Sequence, residues 1–346
     1  MELMTLDKDF MPTGKTKLKY FDLVWDRKYY ESGQFSVQVM ASDYSADMAY
    51  IYTNDRPELG VVQCVEYSDE GHMVSISGYF YEKKLADKII YPALSRYGTR
   101  ASYVALAVST YKSDIPRLVV AEYEDSGEKV QKQETGATLE ETAHSILKVD
   151  EKAYRCRYDL EKDVMMFEIY QGKDRTQDQT ENNFVTFSRG FRNLKNVSAK
   201  DDSSNYKNYF VVGGSGEGTE RIYEIVDLSG GGYQQQLFLD CSYEIYDPDN
   251  QTLDEYKNIL HQKGLEKAQS YVDIHNIEFD TFVNCGAQYL VDYDLGDKCD
   301  IVIEELRKSY QARIIEILET WSSGKHTVTL TFGDKIPTLY EKVRMH

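Results

Sequence analysis

Several short segments carry residue types that could do chemistry, and their spacing decides what each can be. Gly14-Lys15-Thr16 resembles the end of a phosphate-binding loop, but the first glycine of that loop would stand at position 9, which is Asp9. A carboxylate there repels phosphate. The cluster Gly213–Gly218 is rich enough in glycine for a dinucleotide fingerprint, which must run into a helix. Thr219 to Leu228 has strand character instead, so the glycines read as a hairpin turn. Ser215 lies between glycines, yet Glu217 takes the last glycine position of a nucleophile elbow.

The six histidines, His72, His144, His261, His275, His326 and His346, form no HExxH and no i, i+4 pair. The five cysteines, Cys64, Cys156, Cys241, Cys285 and Cys299, are odd in number and never CxxC, which signals neither a disulfide framework nor a zinc site. Reduced, mostly buried thiols are expected. Asp292, Asp294, Asp297 and Asp300 offer oxygens of the kind Ca²⁺ takes, but without the spacing of an EF-hand loop. They read as a solvated strand-turn edge. Among 58 acidic residues no pair stands out as the acid and base of a glycosidase. The assignment is therefore no catalytic residue, no cofactor site and no metal site.

The elements that would hold these residues are mostly strands. Phe35, Val37 and Val39 alternate, as do Val74 and Ile76, and Asp26-Arg27, Glu31-Ser32-Gly33, Asp55-Arg56-Pro57 and Asp69-Glu70-Gly71 supply turn chemistry. After Tyr81 the period changes: Leu85, Ala86, Ile89 and Ile90 predict a helix ended by Pro92, and Tyr103 to Tyr111 a second. Glu122 to Thr135 reads as a polar loop. Thr138-Leu-Glu-Glu141 is a capping box opening a helix to about Lys148, with Leu139, Ala143, Ile146 and Leu147 inward.

Strands are expected at Tyr154–Tyr158 and Val164–Tyr170, followed by a polar stretch from Gln171 to Asn183. Further strands fall at Tyr206–Val212, Ile222–Leu228 and Gln234–Ser242, with Gly213–Gly218 and Gly230–Gly232 as meander turns. A second capping box, Thr252-Leu-Asp-Glu255, opens the longest predicted helix, to about His275, burying Tyr256, Leu260, Ala268 and Tyr271. Ile277–Phe282, Tyr289–Asp292, Ile301–Leu306, Ala312–Glu319 and Thr327–Phe332 complete the strands. The fold class is α+β, mainly β, divided as 1–81 (β), 82–183 (α+β) and 184–346 (β with an inserted helix around 252–275).

Composition narrows the function. The 346-residue chain carries a formal charge of −18 and no extended basic run, which argues against a sequence-specific grip on nucleic acid and against anionic membranes. No apolar run approaches the ~20 residues of a membrane span, and the start MELMTLDKDF has no basic n-region before an apolar stretch, so neither stable membrane insertion nor a signal peptide is expected. Tyrosine dominates the aromatics, Tyr 29 against Phe 13 and Trp 2, a bias suited to interfaces.

Tyr170-Gln-Gly-Lys-Asp-Arg-Thr176, then Phe187-Ser188, Phe191-Arg192-Asn193-Leu194 and the strand around Tyr209, resemble the signature of the tail hub family of long-tailed (siphovirus-type) bacteriophages. That family is related to the baseplate hub and to the N-terminal hub domain of tail-associated lysins. Tyr20 to Phe35, Val74 to Gly78, Tyr293 to Asp297, Ala312 to Ile314 and Thr331 to Gly333 agree in order, so the likeness spans roughly residues 20 to 335. It implies two tube-like β-barrel domains with an α+β insertion, and a virion structural protein of the tail tip or baseplate rather than an enzyme. It further implies a homotrimeric ring that closes the tail tube, meets the distal tail protein, the tape measure protein and the central fibre or receptor-binding proteins, and lets DNA pass transiently through its lumen. The chain would be made in the host bacterial cytoplasm and reside at the virion tail tip. Asp174-Arg175 is then a charged pair at a strand end, bonded into a turn or domain junction. The alternatives are a tail-associated cell-wall-degrading enzyme or its remnant, and a carbohydrate-binding receptor module built on the tyrosines.

Overall fold

A computed structural model describes residues 1–13, 17–281 and 286–333. Gly14-Lys15-Thr16, Phe282, Cys285 and His346 lie outside the described residues. Strand alternation builds the main body. Gln34–Met40 buries Phe35, Val37 and Val39, and Met73–Phe80 buries Val74, Ile76 and Phe80, with Val37 opposite Ile76. Near the other end of the chain Lys325–Gly333 buries Val328, Leu330 and Phe332 completely, as their spacing predicts.

The 15-residue strand Lys308–Ser322 joins these two groups. It pairs with Asp22–Lys28 on one side, Ser322 opposite Asp22, and with Lys325–Gly333 on the other, while its first half pairs with Lys298–Ile303. Strands from both ends of the sequence thus belong to a single twelve-stranded sheet.

Three α-helices lie among the described residues. Helix α1 (Arg100–Tyr111) is capped by Thr99, whose side chain accepts from Ser102 N. Helices α2 (Leu139–Val149) and α3 (Leu253–Ala268) both open on reciprocal capping boxes: Thr138 accepts from Glu141 N and Thr252 from Glu255 N, while each glutamate accepts from its threonine's N–H. Helices α1 and α2 share a core with the three-stranded sheet of Leu118–Val120, Ala153–Asp159 and Val164–Tyr170. Helix α3 covers one face of a second three-stranded sheet, Tyr209–Gly213 flanked by Tyr223–Asp227 and Gln236–Asp240. Gly264 permits that approach, since a Cβ there would fall 2.6 Å from Val226 Cγ2.

The sequence expectations are corrected in several places. Asp26-Arg27 is not a turn: both residues are buried mid-strand in Asp22–Lys28, because Arg27 finds carboxylate partners there. The helix expected through Leu85 and Ile90 is a short 3₁₀ segment, Tyr81–Asp87. Within the expected loop, Lys129–Glu134 is a strand pairing with Leu94–Thr99. Its polarity is deceptive, since Lys132 and Glu134 point inward and meet Glu266 and Lys263 of α3. Helix α3 ends at Ala268, and His275 belongs to strand Ile274–Thr281, which is held on both sides by neighbours. Tyr289–Asp292 is a turn, and Lys195–Asp202 an unforeseen edge strand. Gly213–Gly218 does join antiparallel strands, but Gly230–Gly232 lies in a crossover, because Gln236–Asp240 runs parallel to Tyr209–Gly213.

Candidate functional site

The segment from Tyr170 to Thr176 leaves strand Val164–Tyr170 and docks on the turn that precedes strand Lys298–Ile303. Two glycines make the approach possible. Gly172 lies so close to Gly296 that a Cβ would overlap the Gly296 carbonyl, and Gly296, at φ +90°, lies under the Tyr29 ring. Asp297 then clasps the segment: Oδ1 accepts from Lys173 N at 2.7 Å, and Oδ2 from Arg175 Nε at 2.5 Å. Arg175 N donates to Lys298 O, and Asp300 accepts from Gln177 N at 2.8 Å. Asp174 closes its own turn on the amide and hydroxyl of Thr176, and these bonds outweigh burial to hold its carboxyl below the usual range.

The same turn reaches a second buried network. Arg27 Nε donates to Glu58 at 2.6 Å, and Arg27 Nη1 donates to Asp294 at 2.6 Å and to Tyr289 Oη at 2.8 Å. Arg56 forks onto Glu319, both bonds 2.6 Å, and His326 meets the same carboxylate at 3.0 Å. Glu319 is 0% exposed. Burial pushes the Asp294 and Glu319 carboxyls up, but Arg27 for the first, and His326 and Arg56 for the second, bring both below their ordinary value. Carboxylates held ionised by arginines are poor proton donors, and here they tie distant strands together.

Asp174-Arg175 thus lies at a junction. The acidic cluster does not form a solvated edge: Asp297 and Asp300 are buried, and Asp294 is tied to Arg27. Sequence reading missed Arg27, Glu58, Arg56 and Glu319, whose partners stand far away along the chain; a charged pair inside an apolar-alternating strand was the available signal.

The remaining candidates are dispersed. Ser215 sits in a turn, its N–H donating to Tyr256 Oη. His144 packs against the Tyr154 ring at a tilt, centroids 4.6 Å apart, and burial pushes its pKa down to about 3. His261 pairs with Glu224, and His275 with Asp201. Cys156, Cys241 and Cys299 are buried and free, with burial pushing their thiols up, whereas Cys64 is exposed. Among the described residues, no three His, Cys, Asp or Glu side chains gather to hold a metal, and no helix is long and apolar enough to cross a membrane. A cavity of about 620 Å³ between α2, the end of α3 and strand Lys308–Ser322 holds Lys28, Lys148, Lys267 and Glu316. Burial and neighbouring Asp26 push Glu316 up to about 7, with Lys28 beside both carboxyls.

Apolar surface, by contrast, is left open on the sheet under α3. Its inner face buries Phe210, Val212 and Val226, while its outer face presents Tyr223, Ile225 and Phe238 to solvent. Tyr-Glu-Ile-Val-Asp227 and Gln-Leu-Phe-Leu-Asp240 carry apolar side chains on both faces, the sequence signal for this arrangement.

This architecture is the fold of phage tail proteins. It is similar to the tail protein from Neisseria meningitidis MC58 (TM-score 0.61, 12% identity, covering 96% of each chain). It also resembles prophage tail protein gp18 from Listeria monocytogenes EGD-e (0.58, 14%, 100% of this chain and 98% of that one) and the prophage MuSo2 43 kDa tail protein from Shewanella oneidensis (0.58, 13%, 96% and 98%). The chain belongs to the Siphovirus ReqiPepy6 Gp37-like protein family, which it matches over residues 2–334. No curated protein matches it. The resemblance to siphovirus tail proteins and the mainly β, α+β fold class are thereby borne out.

Proposed function

We propose that this protein is a non-enzymatic hub of the phage tail tip: a trimeric ring that closes the tail tube and joins the distal tail protein and tape measure protein to the central fibre. The observation that carries this reading is the sheet seam. Strand Lys308–Ser322 bonds directly to Asp22–Lys28, so strands from near both ends of the chain share one sheet; we read them as parts of two linked β units, 1–81 and 184–346, with 82–183 as an insertion between them. Two linked β units per chain are what three copies need to meet a sixfold tube with a threefold ring. The likeness to tail proteins over nearly the full length of both chains supports this assignment. A charge of −18 per chain would let a lumen repel passing DNA rather than hold it.

Native mass spectrometry over a range of concentration and salt tests the ring. A species at three times 40.0 kDa is expected, and a strict monomer under every condition overturns self-assembly. Incubation with purified cell walls tests the second half of the claim, since release of fragments would establish a wall-degrading enzyme.

A further inference from the structure

We propose that the open face of the sheet Tyr209–Gly213, Tyr223–Asp227 and Gln236–Asp240 docks a segment of a different protein, one with a row of apolar side chains flanked by lysine or arginine. The register defines the surface. Ile225, Val211 and Phe238 stand directly across from one another in the central row, with Asp227, Tyr209 and Gln236 on one side and Tyr223, Gly213 and Asp240 on the other. Apolar side chains fill the middle of the face, and carboxylates occupy two diagonal corners. Ile225 and Phe238 are 48% and 51% exposed, although a sheet covered on only one face normally turns polar side chains to water on the other.

The centre of this face is built, not loose. Gly213 has no side chain, and in the space a Cβ would take lie Phe238 Cζ and the Arg221 guanidinium, each at 2.8 to 2.9 Å from that position. Arg221 lies over the Phe238 ring and is bound by the carbonyls of Gly213 and Gly214 and by Asp240. The Arg221 cation is thus already matched, and the rim carries acids: Asp227, with exposed Glu217 and Glu220 in the adjoining connection. Hydrogen bonds from Ser229 hold Asp227 below the usual carboxylate range, and those from the Ser242 amide and from Arg221 do the same for Asp240.

Charge selects the occupant. A second copy docked face to face would bring the same acidic rim, Asp227 with Glu217 and Glu220, against itself. A basic, apolar-centred segment matches both the middle and the Asp227 rim, with salt-sensitive attraction at the rim and apolar burial in the row. The inference does not depend on the hub reading, since it concerns one chain's surface.

Fluorescence anisotropy of the full chain with labelled decapeptides tests it, the probes being alternating Leu-Lys, alternating Leu-Glu and alternating Ser-Lys. Saturable binding of Leu-Lys is expected, with the other two at least tenfold weaker. Ile225→Glu and Phe238→Glu should each weaken Leu-Lys at least tenfold; because both add negative charge, such a loss reports the apolar row alone. Val65→Glu, on a distant exposed strand, should change nothing, and thermal melting checks that every variant is folded. Asp227→Asn should lower affinity severalfold and flatten its salt dependence. Equal binding by the Ile225 and Phe238 variants, or by Leu-Glu, overturns the proposal. So does concentration-dependent dimerisation abolished by Ile225→Glu, which would make a second copy the occupant. Trimer mass is read separately, so failure here leaves the ring test intact.

Discussion

The junction around Arg27 and the outer face of the sheet under α3 break the usual rule of burial in opposite directions. One hides charge: Arg27 is 1% exposed, and Glu319 is 0% exposed. The other shows apolar side chains to water. At the junction every departure is answered inside the chain, arginine against carboxylate and carboxylate against backbone amide, as a buried ion must be. On the sheet the departure has no answer among the described residues. A violation satisfied internally is architecture, whereas one left open marks a contact still to be made.

Removing one member of the junction should have the largest effect. Arg27→Met leaves buried Glu58, and partly exposed Asp294, without their cation, and a loss of about 3–5 kcal/mol in urea unfolding is expected. A loss under 1 kcal/mol would mean that the ion pairs do not hold the joint.

Glu82 sharpens the contrast, because it is a buried carboxyl without a cation. Burial raises it from 4.5 to about 8, and its Oε2 has no hydrogen-bond partner. Folded chain keeps this proton where unfolded chain has lost it, so stability falls as pH rises from about 4.5 through 8. Glu82→Gln should remove that slope, gaining on the order of 2–4 kcal/mol over the parent at pH 8.5 relative to pH 4.5. Asp294 and Glu319 act with the opposite sign: their depressed pKa values contribute stability above the ordinary carboxylate range, and it is lost as pH falls through the folded values. Urea midpoints across pH 3 to 9 should therefore decline at both ends, and a flat profile would contradict both assignments.

Gly172→Ala tests the close approach itself. The added methyl overlaps the Gly296 carbonyl and should cost about 1–3 kcal/mol, seen as a lowered melting temperature. Thr252→Ala removes the cap of the helix that covers the inner face of the small sheet and should cost about 1 kcal/mol. Ile225→Thr, on the outer face, should stay within about 0.5 kcal/mol of the parent. A larger loss there would show that the face belongs to the chain's own packing, and the comparison would fail.

Much of the local structure was legible because its causes are local. Both capping boxes lie within four residues, and Phe35, Val37 and Val39 declare their strand by alternation alone. What stayed hidden depends on distant partners. Asp26-Arg27 has turn composition, and only Glu58 and Asp294 make it strand interior. Lys129–Glu134 reads as solvated until α3 supplies Lys263 and Glu266. The acidic run from Asp292 to Asp300 was misread for the same reason, its matching groups being Arg27, Arg175 and the amides of residues 173 and 177. The signature segment was visible in the sequence, and Asp174-Arg175 was read as bonded into a turn or junction, but Asp297 as the residue that clasps it was not.

The seam between Asp22–Lys28 and the end of Lys308–Ser322 joins partners some three hundred residues apart. At a synthesis rate of roughly 5–20 residues per second, the early strand waits about 15 to 60 s on the ribosome before its neighbour emerges. Through that interval the edge of Asp22–Lys28 that Lys308–Ser322 will pair lacks its partner, while Leu23 and Trp25 already find their core among the early residues Phe35, Val37, Ile76 and Phe80. An unpaired strand edge can template the wrong pairing, so the seam leaves the nascent chain open to it until Lys308–Ser322 is made.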